Sequence, residues 1–116
     1  MEAKVKAELI RKALDDKLAD DIEILDVAEQ TSLAEYFVVA SCQSTTQVRA
    51  CADEVEEQLK EAGEELLHTE GYRGGAWILM DYGDVVVHVM HEETRDFYDI
   101  ERLWRDGFID EAQSEK

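Results

Sequence analysis

A chain of 116 residues without a single proline and without a Ser-rich break is expected to be one domain with one core. Its 29 acidic against 12 basic residues give a net charge of -17, which disfavours direct binding to a phosphate backbone, since nucleic acid is held by clustered Lys and Arg. The longest apolar runs are five or six residues, too short to span a bilayer, and Met1, Glu2, Ala3 and Lys4 have neither the apolar core of a secretory signal nor the bias of a transit peptide, so a cytoplasmic protein is expected.

Residues 3–18 place Val5, Leu9, Ile10, Ala13, Leu14 and Leu18 on a helical period with charges between them, which predicts an amphipathic first helix broken at Asp20 and Asp21. Residues 22–27 read as a strand, 28–35 as a polar connection, and 36–42 as a nearly unbroken apolar strand covered on both faces. Ser44 and Gln47 form a capping-box pattern. Val48, Cys51, Ala52, Val55, Leu59 and Ala62 follow at helical spacing, and Gly63 stands where a C-terminal cap needs a left-handed residue, so a second helix is expected over 45–62. Its outer face carries Asp53, Glu54, Glu56, Glu57 and Glu61, the pattern of a solvated surface. Cys42 and Cys51 fall on a strand end and on the apolar face of this helix, and read as two buried thiols.

Residues 65–69 suggest a short strand and 70–75 a glycine-rich link. Two strongly β-prone runs, 76–81 and 85–90, are then separated only by Tyr82, Gly83 and Asp84, a turn in which Gly83 supplies a positive φ and Asp84 can bond its own backbone. This hairpin should form the middle of the sheet. The strand, helix, strand connection favours parallel strands and the hairpin is antiparallel, so the sheet is expected to be mixed. Phe97, Tyr98, Ile100, Leu103 and Trp104 suit one or two short helical turns, with Asp99 as a possible restart, and residues 106–116 read as a flexible polar tail ending a single domain of 1–105.

Alternation divides the hairpin into two sets. Ile78, Met80, Val85, Val87 and Val89 are purely apolar and should face the helices. Trp77, Leu79 and Asp81 share the other side with Val86, His88 and Met90. This second set mixes an aromatic anchor, aliphatics, a histidine and a carboxylate, the composition of an interface hot spot; it is equally the composition of a core tryptophan beside a satisfied histidine. A metal centre has little support: His88 and His91 are three apart on a strand and diverge, and no cysteine pair stands at ligand spacing. Neither a nucleophile elbow nor a phosphate-cradling glycine loop is present. Neither a cofactor nor a catalytic group is therefore expected.

The run from Trp77 to Trp104, WILMDYGDVVVHVMHEETRDFYDIERLW, resembles the signature of the ribosomal silencing factor family, also called Iojap. DIEILDV, SLAEYFVVAS, the helix start at Ser44 and EGYRGGAW fit the same pattern, so the resemblance covers nearly the whole chain. Glu35-Tyr36 stands where the family usually has Asp-Tyr, and Ser41-Cys42-Gln43-Ser44 where Ser-Gly-x-Ser is usual. The resemblance implies an α/β domain with a mixed five-stranded sheet, helices mainly on one face, and a nucleotidyltransferase-like topology lacking the active site. It implies a non-enzymatic translational repressor that binds the large ribosomal subunit through its fourteenth protein and blocks joining of the small subunit when nutrients are short. The contact residues expected on this basis are Trp77, Leu79, Asp81, Tyr82, His88 and Met90, with Asp84, Glu92 and Tyr98 around them. The alternative is a metal-dependent nucleotidyltransferase, but that chemistry needs an Asp-x-Asp pair and a Gly-Ser loop, and Asp81 and Asp84 instead flank a turn. A homodimer using the Trp77 surface when free is compatible with the first reading.

Overall fold

The computed structural model describes residues 1–105, for Arg105 the backbone alone; the expected tail, 106–116, lies outside the described residues. The elements run α1 (Ala3–Asp16), β1 (Asp20–Asp26), β2 (Tyr36–Cys42), α2 (Thr45–Glu61), β3 (His68–Glu70), β4 (Trp77–Asp81), β5 (Val85–His91), α3 (Glu92–Tyr98) and α4 (Ile100–Arg105). The sheet has the order β1-β2-β5-β4-β3, with β2 and β5 parallel and every other neighbouring pair antiparallel. This is the expected mixed five-stranded α/β sheet, and the hairpin strand β5 is its centre.

Strand parity explains the layering. Val38, Ala40 and Cys42 of β2, Ile78 and Met80 of β4, and Val85, Val87 and Val89 of β5 point one way and are buried in one core with Ile10, Ala13 and Leu14 of α1 and Val48, Val55 and Leu59 of α2. The other face carries Leu25, Phe37, Val39, Trp77 and Met90, which pack with Ile100 and Trp104 of α4 in a smaller cluster. The two long helices thus cover one side and the short C-terminal helix part of the other.

The first helix differs from its sequence reading at three positions. Val5 is 52% exposed and Lys6 is buried in its place, because Lys6 lies about 40° around the helix from Ile10 and Val5 about 140°. Leu18, expected on the same face, is 76% exposed, since the helix ends at Asp16 and Leu18 takes a left-handed turn, φ 64°, before the strand starts at Asp20.

The second helix is capped as the sequence suggests, with one adjustment. Ser44 Oγ accepts from Gln47 N at 3.1 Å, but Gln47 Oε1 reaches Gln43 N rather than Ser44 N, so the reciprocal bond slips by one residue. At the other end Gly63, φ 86°, lets Gly63 N donate to Lys60 O and Glu64 N to Leu59 O, the paired bonds of a Schellman cap. Cys42 and Cys51 are both fully buried with their sulfurs 3.5 Å apart, and this shared hydrogen bond together with burial holds the Cys42 thiol well above its ordinary pKa. In the link before β4, Gly71 is obligatory: its φ is 83°, and a Cβ there would stand 2.1 Å from Trp77 O.

The hairpin turn is held by charge. Tyr82 N donates to Val85 O and Gly83 N to Asp81 Oδ1, so the carboxylate that bonds the turn backbone is Asp81 rather than the expected Asp84. Asp84 instead accepts from Lys6 Nζ at 2.7 Å, and the same ammonium lies 2.9 Å from Glu64 and donates to Tyr82 O. Burial lowers the Lys6 pKa, but the hydrogen bonds and charges of Asp84 and Glu64 outweigh it, and the net shift is upward. One lysine thereby ties α1 to the hairpin turn and to the end of α2. Lys6→Ala should cost about 2 kcal/mol, less than a fully buried pair because Asp84 keeps a third of its side chain exposed. Urea unfolding measures it; an unmoved midpoint would mean that the triad adds nothing to stability.

Candidate functional site: the open half of the second sheet face

The register pairs Trp77 with Met90, Leu79 with His88 and Asp81 with Val86, so all six share the face away from α1 and α2, as the alternation predicts. Being on one face does not make them equally accessible. The α3 and α4 helices return across this side of the sheet. Arg95 of α3 is buried, bonding Glu101 Oε2 of α4 at 2.6 Å, Ser41 Oγ of β2 and Asp20 O of β1, and so fixes both helices against the first two strands. Asp99, expected from the sequence as a helix restart, stands between the two helices: it ends α3 in a left-handed conformation, φ 48°, α4 starts at the next residue, Ile100, and the Asp99 side chain pairs with Arg102. That break rotates the helix phase, so Ile100 is buried while Phe97 stands 79% exposed.

Three residues expected at the contact face are therefore placed otherwise. Met90 is fully buried beside Val39 and Ile100, because α4 lies over this part of β5. Tyr82 is buried in the main core on the helix side, where burial pushes its phenol pKa up and its hydroxyl has no hydrogen-bond partner among the described residues. His88 is 5% exposed and lies beneath the surface rather than on it. Asp84 and Glu92 flank opposite ends of β5, roughly 26 Å apart along an extended strand, and Asp84 is engaged by Lys6. These two do not join one site.

Trp77, Leu79, His88 and Tyr98 do come together. Trp77 and Leu79 are half-buried, and Tyr98, 51% exposed, stacks at an angle on Trp77 with ring centroids 5.1 Å apart. Phe97 meets Tyr98 edge-on at 4.9 Å, extending the aromatic strip into solvent. On the inner side Phe37 stands 4.7 Å from the His88 ring and 5.0 Å from Trp104. Phe37 and Phe97 were not among the contact residues expected from the sequence. Phe37 could have been found from its parity on β2, which sets it opposite Val86; Phe97 could not, since its exposure follows from the turn at Asp99.

The chemistry of this face is that of contact. Asp81 has spent one oxygen on Gly83 N and Asp84 on Lys6, so the two carboxylates do not converge. Among the described residues no group of three or more His, Cys, Asp and Glu side chains is placed to hold a metal ion, and no helix is long and apolar enough to cross a membrane. At the open part of the face Trp77 makes an internal polar contact: its Nε1–H donates to His88 Nδ1 at 3.1 Å. An indole can only donate, so Nδ1 must carry its lone pair and the proton of the neutral ring sits on Nε2.

These features define a class: a small mixed-sheet α/β domain whose open sheet face presents aromatic and aliphatic side chains and the preset Trp77–His88 pair. The whole chain, residues 1–116, matches the family described as ribosomal silencing factor during starvation. A curated relative from Chromobacterium violaceum, Ribosomal silencing factor RsfS, is 46% identical over 104 residues, covering 90% of this chain and 85% of its own. Mitochondrial assembly of ribosomal large subunit protein 1 of Mus musculus is 30% identical over 105 residues, 88% of this chain and 46% of the mouse protein. A crystal structure of a Chromobacterium violaceum protein superposes with a TM-score of 0.88 at 46% identity, covering 90% and 87% of the two chains. The chain belongs to the ribosomal silencing factor family, and its role is in ribosome-associated regulation.

Burial holds the His88 pKa down at about 4, below the usual 6.5. The unfolded chain therefore binds a proton at His88 that the folded chain refuses. The stability this confers is complete above pH 6.5 and is lost as the pH falls towards 4, by about 2 kcal/mol at pH 5. Unfolding free energies from urea titrations at pH 7.5 and 5 should differ by that much more in the parent than in His88→Asn, which cannot titrate. Equal pH slopes would show that His88 is protonated as readily folded as unfolded.

Proposed function

We infer that this chain is a translational repressor that docks on the large ribosomal subunit through its fourteenth protein and blocks joining of the small subunit, above all when nutrients are scarce. The observation that carries the reading is the open aromatic strip of Trp77, Leu79, Tyr98 and Phe97, in a chain whose family is that of the silencing factors. The large-subunit assignment is favoured by the mouse relative, whose name places it in assembly of that subunit. The mechanism is occupancy. An acidic domain seated on the joining face excludes the other subunit sterically, and neither bond making nor a cofactor is involved. The contact set is Trp77, Leu79, Asp81 and Tyr98, with Glu92 at the rim and His88 and Met90 supporting it from below. The factor works in the cytoplasm, and when free it can cover the same strip with a second copy of itself.

A net charge of -17 suits a basic partner: it adds little to affinity once contact is made but raises the rate of encounter. Ribosomal proteins, which sit among phosphates, are partners of that kind.

Trp77→Ala should weaken binding to free large subunits by about 2 kcal/mol or more, the scale of an aromatic hot spot. In a sucrose gradient the parent should migrate with large subunits and not with joined ribosomes, and the variant should stay at the top. Migration of the parent with joined ribosomes would rule out the occupancy mechanism.

The association rate should fall as salt rises, since charges separated by more than about 8 Å are screened at physiological ionic strength. Stopped-flow mixing with large subunits across a salt series measures it. A flat rate would remove steering from the mechanism, and Glu92→Gln should slow association while leaving dissociation unchanged.

A further inference from the structure

We propose that His88 is a positioning residue for docking: its Nδ1 lone pair fixes the Trp77 indole in the orientation the partner meets, so the anchor is set before contact. This rests on the reading of the Trp77 strip as the docking face.

Three observations carry it. First, the bond is sequestered. His88 is 5% exposed on the central strand, and its Nδ1 meets the indole N–H at 3.1 Å across the β4·β5 pair, where Trp77 and His88 are diagonal neighbours. Second, His88 has no freedom to turn. Phe37 packs at 4.7 Å on the ring, Leu79 stands directly opposite it in the register, and a ring flip would replace Nδ1 by the Cδ2–H carbon and leave the indole proton without an acceptor. Third, the indole is held from two sides. His88 takes its N–H while Tyr98 of α3 stacks at 5.1 Å. A half-buried tryptophan on a sheet surface otherwise has several side-chain rotamers, and a partner that needs one of them must bear the cost of freezing it. The cost of the preset arrangement is already met in the fold: His88 Nε2 is buried without an acceptor among the described residues. A histidine placed at that cost, with its other nitrogen spent on the anchor, acts through the anchor. Its part in docking is indirect, since His88 itself presents almost no surface to a partner.

The test compares His88→Asn with His88→Phe in the full chain. Asn sets Oδ1 on Cγ, where Nδ1 stood, and can still accept from the indole; Phe keeps the ring and its packing but has no acceptor. Binding to free large subunits should weaken about tenfold in His88→Phe and by no more than about threefold in His88→Asn, the size of one neutral hydrogen bond with the ordering it imposes. In the free proteins the Trp77 indole proton should exchange slowly with solvent in the parent and in His88→Asn, and rapidly in His88→Phe. Equal weakening in both variants would show that His88 acts by packing alone and would overturn the proposal, as would a His88→Phe variant that binds like the parent. Trp77→Ala is measured beside them. If it binds as the parent does, the docking reading falls and the proposal with it; if it binds weakly while His88→Phe does not, the proposal alone falls. Should His88→Phe fail to fold, nitrogen NMR of the unmodified chain still decides: a His88 proton found on Nδ1 overturns the arrangement, and one on Nε2 with a coupling across the bond to the indole nitrogen supports it.

Discussion

Everything in this fold answers to the central strand, which must be buried on both faces. β5 pairs with β2 on one side and β4 on the other, so its backbone is fully engaged within the sheet, and its side chains alternate between two different interiors. Val85, Val87 and Val89 are covered by the two long helices, and His88 and Met90 by aromatic residues and the returning C-terminal segment. A shift of one residue would exchange the two sets and put a histidine into a wholly apolar core, where its nitrogens would find no partner. The register is specified by that penalty and by the turn at Gly83.

Two charged clamps hold the ends of the arrangement. Lys6 gathers Asp84, Glu64 and the Tyr82 carbonyl at the hairpin end, and Arg95 gathers Glu101, Ser41 and the Asp20 carbonyl on the opposite face. Both are basic residues in a chain with few of them, and both are nearly buried. Since acidic residues outnumber basic ones so heavily, cations placed inside relieve repulsion locally and leave the outer surface strongly negative. The packing of the interior and the electrostatics of the surface are two consequences of one charge distribution.

The same geometry connects stability with docking. His88 carries a penalty that the fold sustains: burial, a depressed pKa and one nitrogen without a partner among the described residues. What this secures is a fixed tryptophan at the edge of an open aromatic strip, with Tyr98 supplied by a helix that Arg95 locks in place. A contact face of this kind owes its precision to residues that never reach the surface.

Much of this was determined by the sequence alone. Period-two alternation alone puts Trp77, Leu79, Asp81, Val86, His88 and Met90 on one side, because side-chain direction on a strand is a local property. The capping residues Ser44 and Gly63 marked the ends of α2 for the same reason, since each satisfies or shapes only its own backbone. What covers a face is not local, and there the tertiary structure decided. Met90 reads like Trp77 in the sequence, yet α4 buries the first and leaves the second half open, a difference set by a left-handed Asp99 and by an arginine that reaches three other elements. Lys6 reads as a solvent-facing charge and is buried because Asp84 and Glu64, far away in the chain, converge on it. Long-range pairing of that sort leaves no periodic trace, and so strand parity was legible and accessibility was not.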